Sequence, residues 1–190
     1  IPDSNIILTD LNDGNGNWEI TVVPNGVLTG ETTITLSAKV GNEKPGSKSF
    51  KYTVTRNRSF VSEEGRIEIR DNSTASPYPS VVRVSNVQGV VSKLSVTLLG
   101  LTHSFPDDAD LLLVSPDGTR SVVLLSDAGG GAPTNSIANV TLTIDDDGSE
   151  LTSEAKLGYR TYKPGNFGVG VFPPPAPSSG YTSTLTRFNG

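Results

Sequence analysis

The chain has 190 residues, 34% of them hydrophobic and 18% charged, with 20 Gly, 13 Pro and neither Cys nor Met. That apolar content supports a folded core rather than a disordered chain, and the lack of cysteine excludes disulfides, thiolate metal sites and cysteine nucleophiles. A net charge of −5 with 15 dispersed Lys and Arg provides no basic stripe for nucleic acid, and no apolar run reaches the roughly 18 residues of a membrane-spanning helix. The opening Ile1-Pro2-Asp3 lacks the basic stretch and apolar core of an intact signal peptide.

Apolar residues recur at a spacing of two and helical signals are almost absent, which predicts an all-β fold. Residues 5–11 and 18–24 read as two strands of a hairpin, joined by Asn12-Asp-Gly-Asn-Gly-Asn17, whose Asn and Gly tolerate positive φ. Residues 32–40 place Ile34, Leu36, Ala38 and Val40 on one face, and residues 49–55 do the same with Phe50, Tyr52 and Val54. Four strands are too few for a complete sandwich of about seven. The character turns charged and polar after Arg56, so the expected domains are 1–57 and 58–190. Strands are expected in the second at 66–70, 80–85, 92–101, 110–115, 121–126, 139–145 and 158–163, separated by Gly, Pro, Asn and Asp turns. The run Phe172-Pro-Pro-Pro-Ala-Pro177 predicts an extended crossing loop.

His103 is the sole histidine, so any Ser-His-Asp scheme must use it; Ser104, Asp107, Asp108 and Asp110 are its neighbours in sequence. No Gly-x-Ser-x-Gly elbow accompanies them. The expectation is therefore no enzyme, with His103 and Asp108 fixing the turn into the next strand and a carboxylate accepting backbone N–H groups. Asp107, Asp108 and Asp110 read either as a calcium site, because Ca²⁺ gathers oxygens and offsets the repulsion of clustered anions, or as a solvated acidic turn. Asp127 before Gly129-Gly-Gly131 and the run Asp145-Asp-Asp147 are further oxygen-rich turns, the latter read as a solvated loop. Tyr159, Tyr162, Phe167, Phe172 and Tyr181 are candidates to line a sugar or peptide face or to cover the core, and the core reading is preferred.

Ala75-Ser-Pro-Tyr-Pro-Ser80, Val87-Gln-Gly-Val-Val-Ser-Lys-Leu-Ser-Val-Thr-Leu98 and His103-Ser-Phe-Pro-Asp-Asp-Ala-Asp-Leu-Leu-Leu-Val-Ser-Pro-Asp-Gly-Thr119 together resemble the P domain of proprotein convertases, most closely its bacterial forms in secreted and cell-surface proteins. The likeness extends through Val123-Leu-Leu-Ser-Asp-Ala-Gly-Gly-Gly131 and Tyr162-Lys-Pro-Gly-Asn-Phe167 to Leu185-Thr-Arg-Phe-Asn-Gly190. It implies a β jelly roll, while Asn5-Ile-Ile-Leu8 and Thr32-Thr-Ile-Thr-Leu36 are similar to part of an immunoglobulin- or cadherin-like repeat. In that family strands bearing Trp follow the Phe-Asn-Gly. The resemblance therefore implies that the last strands are missing here, with strand pairing to other domains of a longer polypeptide or to neighbouring subunits. What it implies for function is a non-catalytic structural, adhesive or interaction module at the cell surface, or an accessory domain stabilising an extracellular subtilisin-like protease. A carbohydrate or protein ligand stays open.

Overall fold

The computed structural model describes residues 5–23, 30–70, 73–87, 89–168 and 170–190. Strand and bridge residues make up 39% of it and helix 6%, against about a third helix in an average globular protein, so the chain is all-β. Contacts divide it into two compact units, Ile1–Ser59 and Phe60–Gly190.

The first unit holds two antiparallel hairpins. Strands β1 (Ile6–Asp10) and β2 (Trp18–Val22) pair from Ile6 opposite Val22 to Asp10 opposite Trp18. The connecting loop is closed by side chains: Asp10 Oδ1 accepts the Asn12 N–H at 2.9 Å, and Asp13 accepts the Asn15 N–H at 2.8 Å and the Asn17 amide at 2.6 Å. These bonds, the Asn15 N–H foremost, hold the Asp13 carboxyl below its ordinary pKa. The expected hairpin is present; Pro24, at the expected end of the second strand, lies outside the described residues. Strands β3 (Gly30–Ala38) and β4 (Gly46–Val54) pair from Gly30 opposite Val54 to Ala38 opposite Gly46. Among the described residues of this unit Ile34 alone is a fully buried hydrophobic, while Trp18 and Val40 stay 58% and 82% exposed.

The second unit contains two three-stranded sheets. One has the order β5 (Val96–His103), β8 (Ile137–Ser149), β9 (Thr161–Tyr162); the other runs β10 (Gly165–Asn166), β7 (Ser121–Ser126), β6 (Leu111–Val114). Both contribute to one apolar core, in which Val122, Leu124 and Leu125 of β7 meet Val140, Leu142 and Ile144 of β8. All six residues of β7 are buried. Its polar backbone is satisfied on one side by β6 and on the other by two short parallel pieces, β10 at Leu125–Ser126 and Thr182 at Val122. Thr182 donates to the Ser121 carbonyl at 3.1 Å and accepts the Val123 N–H at 2.8 Å.

Two expected strands are absent. Residues 66–70 and 80–85 make only the isolated bridges Glu68–Ser76 and Ser62–Val82. Pro77 and Pro79 withhold two N–H donors just beyond Ser76, and the Val81 N–H is taken by Glu64 Oε2 at 2.9 Å, so neither ladder can lengthen. The Pro-rich run does not extend as expected either: Ala176 N–H closes a turn onto the Pro173 carbonyl at 3.1 Å. At the centre of the β5–β8 pair the register shifts between Leu98 and Leu101, where Gly100 (φ +66°) faces Asn139 (φ +56°). Hydroxyls replace the lost ladder bonds, Thr141 Oγ1 accepting from Gly100 N–H at 3.2 Å and Thr102 Oγ1 from Asn139 N–H at 2.8 Å.

Candidate functional site

The turn from β5 to β6 carries His103 and three of the carboxylates singled out by sequence. Pro106–Asp108 forms one 3₁₀ turn, closed by Asp108 N–H to the Phe105 carbonyl (3.0 Å) and Ala109 N–H to the Pro106 carbonyl (3.2 Å). The His103 ring folds back on this turn, with Nδ1 2.6 Å from the Phe105 carbonyl and 3.2 Å from the Phe105 N–H. One tautomer cannot serve both. The shorter contact requires a proton on Nδ1, which then donates to the carbonyl. Thus the imidazole fixes the turn, as expected. Asp108 contributes through its backbone N–H rather than its side chain: among the described residues its exposed carboxylate accepts no hydrogen bond.

Asp110 does not stand alone, because the fold brings Asp127, just after β7, beside it, while Asp107 lies against Gly131. Burial pushes the Asp110 carboxyl up from its ordinary value; the Ser126 hydroxyl opposes this, and the charges of Asp127 and Asp108 reinforce it. Asp127 itself sits at φ +48° and accepts the Ser126 hydroxyl at 2.9 Å. Each of the three carboxylates lies against a glycine. A Cβ on Gly131 would come 2.4 Å from Asp107 Oδ2, one on Gly168 would come 2.0 Å from Asp127 Oδ2, and one on Gly170 would come 3.2 Å from Asp110 Oδ2. A side chain at 131 or 168 would therefore displace the Asp107 or Asp127 carboxylate. Asp107 Oδ1 is fully buried and has no hydrogen-bond partner among the described residues. A buried, unpartnered carboxylate oxygen is costly unless something positive meets it.

The chemistry of these donors suits a hard cation taking oxygen ligands. Among the described residues no three His, Asp or Glu side chains already converge on a common point as a metal group. Uptake of an ion would have to draw Asp107, Asp110 and Asp127 together. Asp127 could not be joined to the cluster from sequence, since it comes from a different strand end; the one local sign was the Gly129-Gly-Gly131 run beside it.

Asp145–Asp147 is not the solvated loop expected of it. It belongs to β8, and each carboxylate has its own partner. Burial alone would raise Asp145, but the Asp147 N–H and the Lys93 ammonium outweigh it and leave the carboxyl lowered. Lys93 Nζ lies 3.1 Å from Asp145 Oδ1 and 2.6 Å from Asp147 Oδ2, and its own pKa is raised by them. Asp146 reaches across to the last 3₁₀ turn, Leu185–Phe188, where it accepts the Leu185 and Thr186 N–H groups at 2.8 Å each and the Thr184 hydroxyl at 2.9 Å. This carboxylate caps the turn that inserts Leu185, 1% exposed, into the core.

The aromatic group divides. Tyr162 is buried in the core, as the core reading expects, while Phe172 and Tyr181, half-buried, stack edge to face on each other with ring centroids 5.4 Å apart and are not among the residues packed on the core cluster. Tyr159 and Phe167 instead remain 71% and 47% exposed. No family model, curated protein or solved structure matches the chain.

Proposed function

We propose that the chain is a non-catalytic β module of a secreted or cell-surface protein, with a structural or interaction role, built as part of an immunoglobulin-like repeat followed by a P-domain-like jelly roll. The order of motifs from Ala75 to Gly190 supports the family reading. The observation that carries the non-catalytic reading is His103. The sole imidazole of the chain donates Nδ1–H to a carbonyl two residues away, and among the described residues no hydroxyl or carboxylate is hydrogen-bonded to its other nitrogen. A general base needs a nucleophile on one nitrogen and an orienting acid on the other. Assay of the purified chain against activated esters and peptide amides is expected to give no turnover above buffer. Turnover that disappears in His103→Ala would overturn the reading.

Calcium belongs to the same proposal. Asp107, Asp110 and Asp127 are the residues that would hold it, and the orphaned Asp107 Oδ1 together with the glycine cradle supports this. A bound Ca²⁺ would supply positive charge that cancels the repulsion among these carboxylates and would tie the segment before β6 to the end of β7. Its role would be to stabilise the module.

A further inference from the structure

Between β8 and β9 the chain makes a long excursion, residues 150–160, whose walls are held in place. Leu151 and Leu157 are buried at 6% and 2% exposure. Thr152 Oγ1 accepts the Ala155 N–H at 3.0 Å, Asn135 Nδ2 donates to the Glu154 carbonyl at 3.0 Å, and the Tyr162 hydroxyl accepts the Gly158 N–H at 3.1 Å. These bonds preform a surface hollow of about 360 Å³ lined by Glu150, Thr152, Lys156, Tyr159, Arg160 and Tyr162 among others. The volume falls at the lower end of small-molecule sites, which run from about 300 to 1,000 Å³.

The charges lining it are unbalanced. Glu150 is paired with Lys163. Lys156 makes one hydrogen bond, to the Thr134 carbonyl at 3.3 Å. The Arg160 guanidinium makes no hydrogen bond or ion pair among the described residues. On a chain of net charge −5 this leaves a local cationic excess. Beside it Tyr159 is 71% exposed yet not free to swing, because its hydroxyl donates to the Asn139 carbonyl at 2.7 Å. A fixed, exposed aromatic ring offers an apolar face at little entropic cost.

We infer that this hollow binds a sugar acid, a pyranose bearing one carboxylate, with the carboxylate on Arg160 and the C–H face of the ring against Tyr159. The planar guanidinium fork matches a carboxylate with two parallel hydrogen bonds. The negative face of an aromatic ring repels an anion, so the neutral sugar ring, not the carboxylate, belongs on Tyr159. This reading needs neither the P-domain likeness nor calcium.

The test is saturation-transfer NMR and calorimetry on the full chain with the methyl glycosides of glucuronate and galacturonate. Controls are methyl glucoside, acetyl-glutamate amide and inorganic phosphate. A uronate glycoside is expected to bind with a dissociation constant of about 1 mM, ordinary for a ligand this small. Methyl glucoside is expected to bind at least about tenfold more weakly, as is the uronate to Arg160→Ala, since each loses the charge-assisted pair. Tyr159→Ala is expected to weaken the uronate several-fold, and melting temperatures should show that Arg160→Ala folds as the parent does. Any of four results would overturn the inference: no uronate binding, equal binding of methyl glucoside, tighter binding of acetyl-glutamate amide or phosphate, or unchanged affinity in Arg160→Ala.

Discussion

Replacing Asp146 by alanine removes the carboxylate of β8 that hydrogen-bonds the turn at Leu185–Phe188. Three bonds vanish together: the two from the Leu185 and Thr186 N–H groups at 2.8 Å and the one from the Thr184 hydroxyl at 2.9 Å. Their consequences differ. Thr184 and Thr186 hydroxyls are already 2.8 Å apart and can satisfy each other, and Thr186 is exposed, so its N–H recovers water. The Leu185 N–H, on a residue 1% exposed, regains little. An unsatisfied buried donor costs about 1–3 kcal/mol, and loss of a helix cap costs about 1 kcal/mol, so the sum is about 2–4 kcal/mol. For a unit of this size that corresponds to a fall in Tm of about 10 °C. Asp146→Asn keeps one acceptor oxygen and should lose about half as much, while the exposed neighbour Asp147→Ala gives up only a surface pair worth about 0–1 kcal/mol. Urea denaturation followed by near-ultraviolet circular dichroism measures all three. If Asp146→Ala stays within about 0.5 kcal/mol of the parent, or if Asp147→Ala costs as much, the capping argument fails.

Leu125→Ala, at a fully buried position of the central strand β7, is expected to cost about 2–5 kcal/mol in the same denaturation experiment, a large part of the stability of a single domain. The Asp117 carboxyl accepts the Ser115 and Thr119 hydroxyls and the Thr119 N–H, which hold its pKa at about 2; NMR titration of its side-chain carbon should show that midpoint. Because this folded value lies below the unfolded one, the stabilisation is present above the ordinary carboxylate range and is lost as pH falls towards 2. Limited proteolysis is expected to cut first between Val54 and Phe60, where no strand is present, and mass spectrometry of the fragments reads the site.

How far the sequence could be read depended on how local the deciding force was. Alternation at two-residue spacing, bounded by turn residues, located the hairpin of β1 and β2 and placed β7 at Ser121–Ser126, because the pattern and its punctuation lie in the same few residues. The same signal misled at 66–70 and 80–85, where what matters is whether a partner can donate: Pro77, Pro79 and the capture of the Val81 N–H by Glu64 stop both pairings. Strand β10, Gly165–Asn166, has no periodicity to read and exists because the edge of β7 needs acceptors and donors. The same limit governed the site. His103 bonds within its own turn and was legible, but the meeting of Asp127 with Asp110 and the reach of Asp146 to Leu185 depend on how the strands pack.

The cradle of Asp107, Asp110 and Asp127 gives the most direct test of the account, by calorimetric melting of the parent chain and Asp110→Asn with chelator and with saturating Ca²⁺. With chelator, Asp110→Asn is expected to be at least as stable as the parent, since it relieves a carboxylate raised by burial and by the charges of Asp127 and Asp108. With Ca²⁺ at about a hundred times its dissociation constant the parent should gain about 2.7 kcal/mol, and the variant much less. A parent Tm that does not move with Ca²⁺, or an equal gain in Asp110→Asn, would contradict the assignment of this cradle as the cation site that stabilises the module.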